Sequence, residues 1–132
     1  MYALSKEYSK IPNDWDRSGL PAWSFFNKEM FEAEKDLFFR RHWQLICHSN
    51  DIPNTGDFVT WDLIGERALV IRGADGKVRA FHNLCTHRGS RVLAAEAGNC
   101  RSAITCPFHG WTYNLDGTLR GAAQPSSLPS LD

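Results

Sequence analysis

Two short stretches combine the side chains that most readily hold transition metals: Cys85-Thr86-His87 and, after eighteen intervening residues, Cys106-Pro107-Phe108-His109. Each supplies one thiolate and one imidazole, donors suited to borderline and soft metals. Two such pairs within 25 residues rarely arise from ordinary core or surface side chains, so the spacing points to a metal centre. Each pair sits just past a predicted strand, Cys85 after Val78 to His82 and Cys106 after Arg101 to Thr105. Loops rather than helices would therefore present the donors. Gly89 and Gly110 follow the two sets and are expected to let the backbone come close and aim N–H groups at bound sulfur.

Two metal chemistries compete for these four residues. Zinc takes two Cys and two His tetrahedrally, which would make the chain a zinc-stabilised binding module. Zinc fingers, however, usually pair Cys with Cys and His with His, and they stabilise chains too small to fold alone. A 2Fe-2S cluster instead takes four protein donors, two on each iron, and two imidazoles can replace two of the usual thiolates. Two ferric ions, two sulfides and two thiolates sum to zero formal charge, so one added electron leaves a single net negative charge. Reduction is easier than with four thiolates: about −150 to +300 mV against about −400 mV. Reduction beside the imidazoles should also hold their remaining protons more tightly, so the potential is expected to fall at alkaline pH.

The elements that must position these loops read as short β-prone runs divided by turns. Gln44 to His48, Asp57 to Leu63, Arg67 to Arg72, Val78 to His82, Arg101 to Thr105, Trp111 to Tyr113 and Thr118 to Arg120 are the expected strands. Asp75-Gly76 and Asp116-Gly117 mark hairpins, and Pro53-Asn54-Thr55-Gly56 marks a turn. Before them the pattern is helical over residues 27–43, with Asn27 as N-cap, Met30, Phe31, Ala33, Leu37 and Phe38 on one side, and Arg40 and Arg41 at the end. Residues 1–26 read as an extended leader and 122–132, rich in Pro and Ser, as the start of a linker. The fold class is mainly β: an antiparallel sandwich with a small metal-holding lobe and an N-terminal helix.

Cys-x-His followed by Cys-x-x-His is the Rieske pattern, and the resemblance extends further. The runs Cys85-Thr86-His87-Arg88-Gly89, Cys106-Pro107-Phe108-His109-Gly110-Trp111, Gly73 to Asn83 and Phe39-Arg40-Arg41-His42-Trp43 resemble the N-terminal Rieske domain of α subunits of Rieske non-haem iron oxygenases, over about residues 25–121. The resemblance implies Cys85 and Cys106 on the inner iron and His87 and His109 on the outer one, with Arg88, Gly89, Gly110 and Trp111 around them. It implies single-electron transfer from a ferredoxin or reductase to the mononuclear iron of a ring-hydroxylating or demethylating catalytic domain, in the same or a neighbouring subunit of a homotrimer. No histidine follows His109, so the facial triad of that iron is not expected here, and the chain would pass an electron without oxidising a substrate itself. The alternative is a free-standing Rieske ferredoxin. Against it stand the helix and leader, for which a carrier has little use; Trp23, Phe25, Phe26 and Met30 would form an apolar patch awaiting a partner. Respiratory Rieske proteins add a disulfide and hydroxyl donors near the cluster; Ser90, Phe108 and Trp111 occupy the matching positions here. A potential at the low end of the Rieske range is expected.

The remaining candidates read more plainly. Cys47, inside Leu45-Ile46-Cys47, is a small buried hydrophobe and Cys100 a loop thiol. His42 and His48 are structural, and His82 packs near the cluster. With 42% hydrophobic and 23% charged residues the 132-residue chain has material for one core. Fifteen basic residues balance fifteen acidic ones, which excludes charge-driven binding of nucleic acid or an acidic membrane. No apolar run approaches the ~18 residues of a membrane span, and the N-terminus has no export-signal pattern, so a cytoplasmic address is expected.

Overall fold

The computed structural model describes residues 19–122, and the expected leader up to residue 18 and linker from residue 123 lie outside that range. The chain divides into two compact units, up to Leu45 and from Ile46 onward.

In the first unit Asn27 caps the helix as expected, its Oδ1 accepting the Met30 N–H at 2.8 Å. Helix α1 runs Lys28–Glu34 and then widens into a π-type turn over Lys35–Phe39. It ends before Arg40, short of the predicted residue 43, and the Arg41 and His42 N–H groups share the Phe38 carbonyl just beyond its end. Asp36 and Arg40 form an i,i+4 ion pair. Residues 22–25, read as extended, form one 3-10 turn in which the Ser24 hydroxyl donates to the Pro21 carbonyl. Phe25, Phe26 and Trp23 are exposed and Met30 half-buried.

The second unit is all β. Strands β1 (Asp57–Leu63), β2 (Glu66–Arg72), β3 (Val78–His82) and β4 (Ala97–Asn99) form one antiparallel sheet in the order β3-β2-β1-β4. Strands β5 (Ile104–Thr105), β6 (Thr112–Tyr113) and β7 (Leu119–Gly121) form a second, ordered β5-β6-β7. The β1–β2 turn, Ile64-Gly65, has positive φ at both residues, the geometry that matches strand twist in a two-residue hairpin. Asp75 steadies the β2–β3 connection, accepting the Lys77 N–H and pairing both oxygens with Arg79.

Two corrections concern the strands. Gln44 to His48 forms no strand, because that backbone has no ladder partner; Gln44 instead donates its side-chain amide to the Phe39 and His42 carbonyls. Strand β4 was not expected, since Ala97-Gly98-Asn99 shows no apolar alternation. It pairs with β1 because Gly98 leaves room for the Phe58 ring, which lies 3.1 Å from where a Cβ would stand.

Phe58, Leu69 and Ile71 from the first sheet meet Ile104 and Tyr113 from the second, with Val92, Trp111 and Leu115 from the connections. Cys85 and Cys106 belong to this same core. The candidate metal donors are thus rooted in the interior that both sheets share.

Candidate metal centre

The two donor loops close in the same way. The Cys85 N–H donates to the Ser90 carbonyl at 2.7 Å and the Gly89 N–H returns to the Cys85 carbonyl at 2.8 Å. In the second loop Cys106 donates to the Trp111 carbonyl at 2.8 Å and Gly110 to the Cys106 carbonyl at 3.1 Å. Closing the turn needs left-handed backbone at its fifth residue, and Gly89 and Gly110 have φ of 68° and 69°. The sequence reading of these glycines needs correction. Their N–H groups serve the cysteine carbonyls, not sulfur, and a Cβ at either would meet nothing within 4 Å. The N–H groups that do reach the Cys85 sulfur belong to His87 and Arg88.

The loops bring all four expected donors together, sorted by element. Cys85 and Cys106 are each 2% exposed and belong to one buried cluster. The His87 and His109 rings lie outside them, half-buried, with centroids 4.7 Å apart and planes at 69°. Trp111 is buried and lies flat on His87, 4.9 Å between centroids and 3° between planes, so it backs one face of that half-buried imidazole. Phe108 tilts against His109 at 4.0 Å and, like Arg88, is exposed.

Burial is the strongest influence on Cys85 and opposes ionisation. Hydrogen bonds from the Tyr113 hydroxyl, the His87 N–H, the Cys106 thiol and the Arg88 N–H together outweigh it, and the thiol's pKa falls below its ordinary value. His87 is also lowered, by desolvation first and then by His109 and Arg88 beside it. A lowered imidazole stays neutral near pH 7, the form that binds a metal.

Tyr113 is the functional residue that the motif reading missed. Its hydroxyl lies 3.1 Å from the Cys85 sulfur, accepts the Thr86 N–H at 3.2 Å and meets the Thr86 hydroxyl at 3.0 Å. A signal existed: Trp111, Tyr113 and Leu115 alternate, and all three are buried. Hydroxyl donors are therefore not absent here, which corrects the premise of the low-potential expectation. A donor to a cluster thiolate stabilises the reduced state more than the oxidised one. Tyr113→Phe is expected to lower the midpoint potential by about 40 mV, taking ~1 kcal/mol of differential stabilisation at ~59 mV per 1.4 kcal/mol for one electron. Spectroelectrochemical titration of both forms checks this, and an unchanged or raised value would refute it.

The other candidates form no part of the four-residue donor set. His48 caps a 3-10 turn, its Nδ1 accepting the Asn50 N–H, and His42 packs on Phe38. Cys47 is half-buried, where burial and then Asp51 raise its pKa; Cys100 is half-buried against the core and raised by burial. His82 ends β3, exposed, and helps line an apolar hollow of about 220 Å³ with Thr86 and Tyr113.

Among the described residues, no three His, Cys, Asp or Glu side chains are arranged to hold one metal ion. A diiron cluster asks only two protein donors of each metal, and the buried sulfur pair and outer nitrogen pair fit that demand. No helix among the described residues is long and apolar enough to cross a membrane.

Comparison with known proteins agrees. The oxygenase subunit of carnitine monooxygenase from Acinetobacter baumannii is 37% identical over 128 residues, which is 93% of this chain and 34% of that protein. The oxygenase subunit of glycine betaine monooxygenase from Pseudomonas aeruginosa is 41% identical over 100 residues, 76% of this chain and 23% of that one. A crystal structure of a quaternary ammonium Rieske monooxygenase with L-carnitine superposes with a TM-score of 0.81 at 34% identity, covering 93% of this chain and 36% of that one. The chain spans about a third of the length of the first of these relatives. Residues 42–132 match the family described as Rieske [2Fe-2S] domain, with the cluster as its cofactor. The mainly β architecture, the paired Cys and His loops and these matches agree: the chain belongs to the Rieske 2Fe-2S domain family, in the form found in oxygenase α subunits.

Proposed function

We propose that this chain is the electron-relay part of an oxygenase α subunit, with Cys85 and Cys106 as ligands of the inner iron and His87 and His109 of the outer iron. The observation that carries the assignment is the segregation of buried sulfur from half-exposed imidazole. When bound, the cluster supplies reversible one-electron chemistry. The protein's own contribution is to keep both thiols in the core, feed Cys85 with donors from Tyr113, His87 and Arg88, and hold two half-buried imidazoles outside them, with the His87 pKa lowered. Phe108 and Arg88 surround those imidazoles with exposed apolar and cationic contacts. That face is where a ferredoxin or reductase would meet the chain and where an oxygenase catalytic domain would receive the electron.

A homotrimer in which the receiving domain belongs to the neighbouring subunit fits this reading. One solved relative, a quaternary ammonium Rieske monooxygenase, is described as revealing inter-subunit electron transfer. Free-ferredoxin and zinc-module readings have less support, since the relatives compared are oxygenase components.

Metal analysis of chain prepared anaerobically with iron supplied, followed by reductive titration, tests the proposal. Two irons, two acid-labile sulfides and one electron accepted per chain are the expected stoichiometry for this cluster type. Zinc without sulfide, or no metal, would overturn it.

A further inference from the structure

The two donor loops differ in what holds their far ends. The Cys106 loop grows out of a ladder in which Ile104 pairs with Tyr113 and Thr105 with Thr112. The Cys85 loop has none: β3 ends at His82 and residues 91–93 are not a strand. One side chain stands in the place of that ladder. Asn83 Oδ1 accepts the backbone N–H groups of Val92 at 3.2 Å and Leu93 at 2.9 Å, and its Nδ2 donates to the Leu93 carbonyl at 2.7 Å. Its own N–H donates to the Arg67 carbonyl of β2 at 2.8 Å. Asn83 is 0% exposed, the one buried polar side chain other than the cysteines and Tyr113 among the described residues.

A carboxamide offers the same donor and acceptor as a peptide group, so Asn83 supplies the rungs that a second strand would have given. No near neighbour in chemistry does this. Aspartate lacks the donor for Leu93, and leucine or alanine leaves two N–H groups and a carbonyl without partners beside the core. The loop closed this way carries Cys85 and His87, and it meets the second loop through Tyr113 and the His87–His109 contact.

We propose that Asn83 is a positioning residue for the metal centre: its buried carboxamide clamps the far end of the Cys85–Ser90 loop and thereby sets where Cys85 and His87 stand relative to Cys106 and His109. The inference rests on the ligand assignment above. It assigns the geometry of half the ligand set to a residue that touches no metal.

The test uses the iron-loaded chain and Asn83→Ala, with Leu115→Ala as a control that weakens the same core while leaving every hydrogen bond of the clamp in place. Hydrogen–deuterium exchange in residues 90–95 is expected to quicken on the order of tenfold in Asn83→Ala, about the worth of one lost hydrogen bond. The EPR g-values of the reduced cluster and its midpoint potential should move with it. Leu115→Ala should lower thermal stability yet keep wild-type g-values and potential. Should Asn83→Ala fail to fold, Asn83→Asp keeps the acceptor oxygen, loses only the donor to Leu93, and should shift the g-values. Unchanged exchange and g-values in a folded variant, or equal spectral changes in Leu115→Ala, would overturn the proposal. A wild-type chain without iron and sulfide would instead overturn the ligand assignment, and this inference with it.

Discussion

Cys85→Ser and Cys106→Ser are each expected to reduce bound iron and acid-labile sulfide to background, whereas Cys47→Ser and Cys100→Ser should retain the full complement. All four positions are free cysteines, so the contrast isolates location rather than residue type. Cys85 and Cys106 are buried side by side, and Cys85 is supplied with hydrogen bonds that favour its thiolate. Cys47 and Cys100 have raised pKa values, which disfavours the metal-binding form. Serine keeps the size but offers a hard oxygen of high pKa, a poor replacement for sulfur on iron. Metal and sulfide analysis with visible absorption reads the result. Full iron in Cys106→Ser, or its loss in Cys100→Ser, would transfer the ligand role to Cys100.

Truncating Ile71 to alanine is expected to cost about 2–5 kcal/mol of folding stability, the range for emptying a fully packed aliphatic site. Ile71 is 0% exposed and pairs with Phe58 on one side and Arg79 on the other. A domain of this size has only ~5–15 kcal/mol in total. Because Ile71 shares its core with Cys85 and Cys106, iron retention should fall with stability although no donor is touched. Urea denaturation should show a lower midpoint at unchanged slope. Val78→Ala, at a half-exposed position on the edge strand β3, should stay within about 0.5 kcal/mol of the wild type. Equal losses in both variants would mean that the core has been misplaced.

Much of this was legible from residue order alone. The strands Asp57–Leu63 and Val78–His82 fall where alternation and turn residues put them, and Asn27 caps its helix as its position suggests. The four metal donors could be named because a thiolate and an imidazole two or three residues apart have few other uses. What escaped was decided by contacts distant in sequence. Strand β4 forms because Gly98 accommodates Phe58, and Gln44 to His48 forms no strand because nothing pairs with it. Tyr113 and Asn83 went unnoticed as site residues since their partners lie 28 and 9 to 10 residues away. Neither distance leaves a local pattern.

The matched closure of the donor loops also says what is portable about them. Both are six-residue units defined by a cysteine at the start, a left-handed glycine at the fifth place and a carbonyl at the sixth. The histidine alone breaks the equivalence, sitting two residues after Cys85 but three after Cys106. Thr86, Arg88, Pro107 and Phe108 contribute no side chain to that closure, so grafting onto another antiparallel scaffold would have to carry over the frame, the unequal histidine offsets, and the Tyr113 and Asn83 side chains that brace the first loop from outside it.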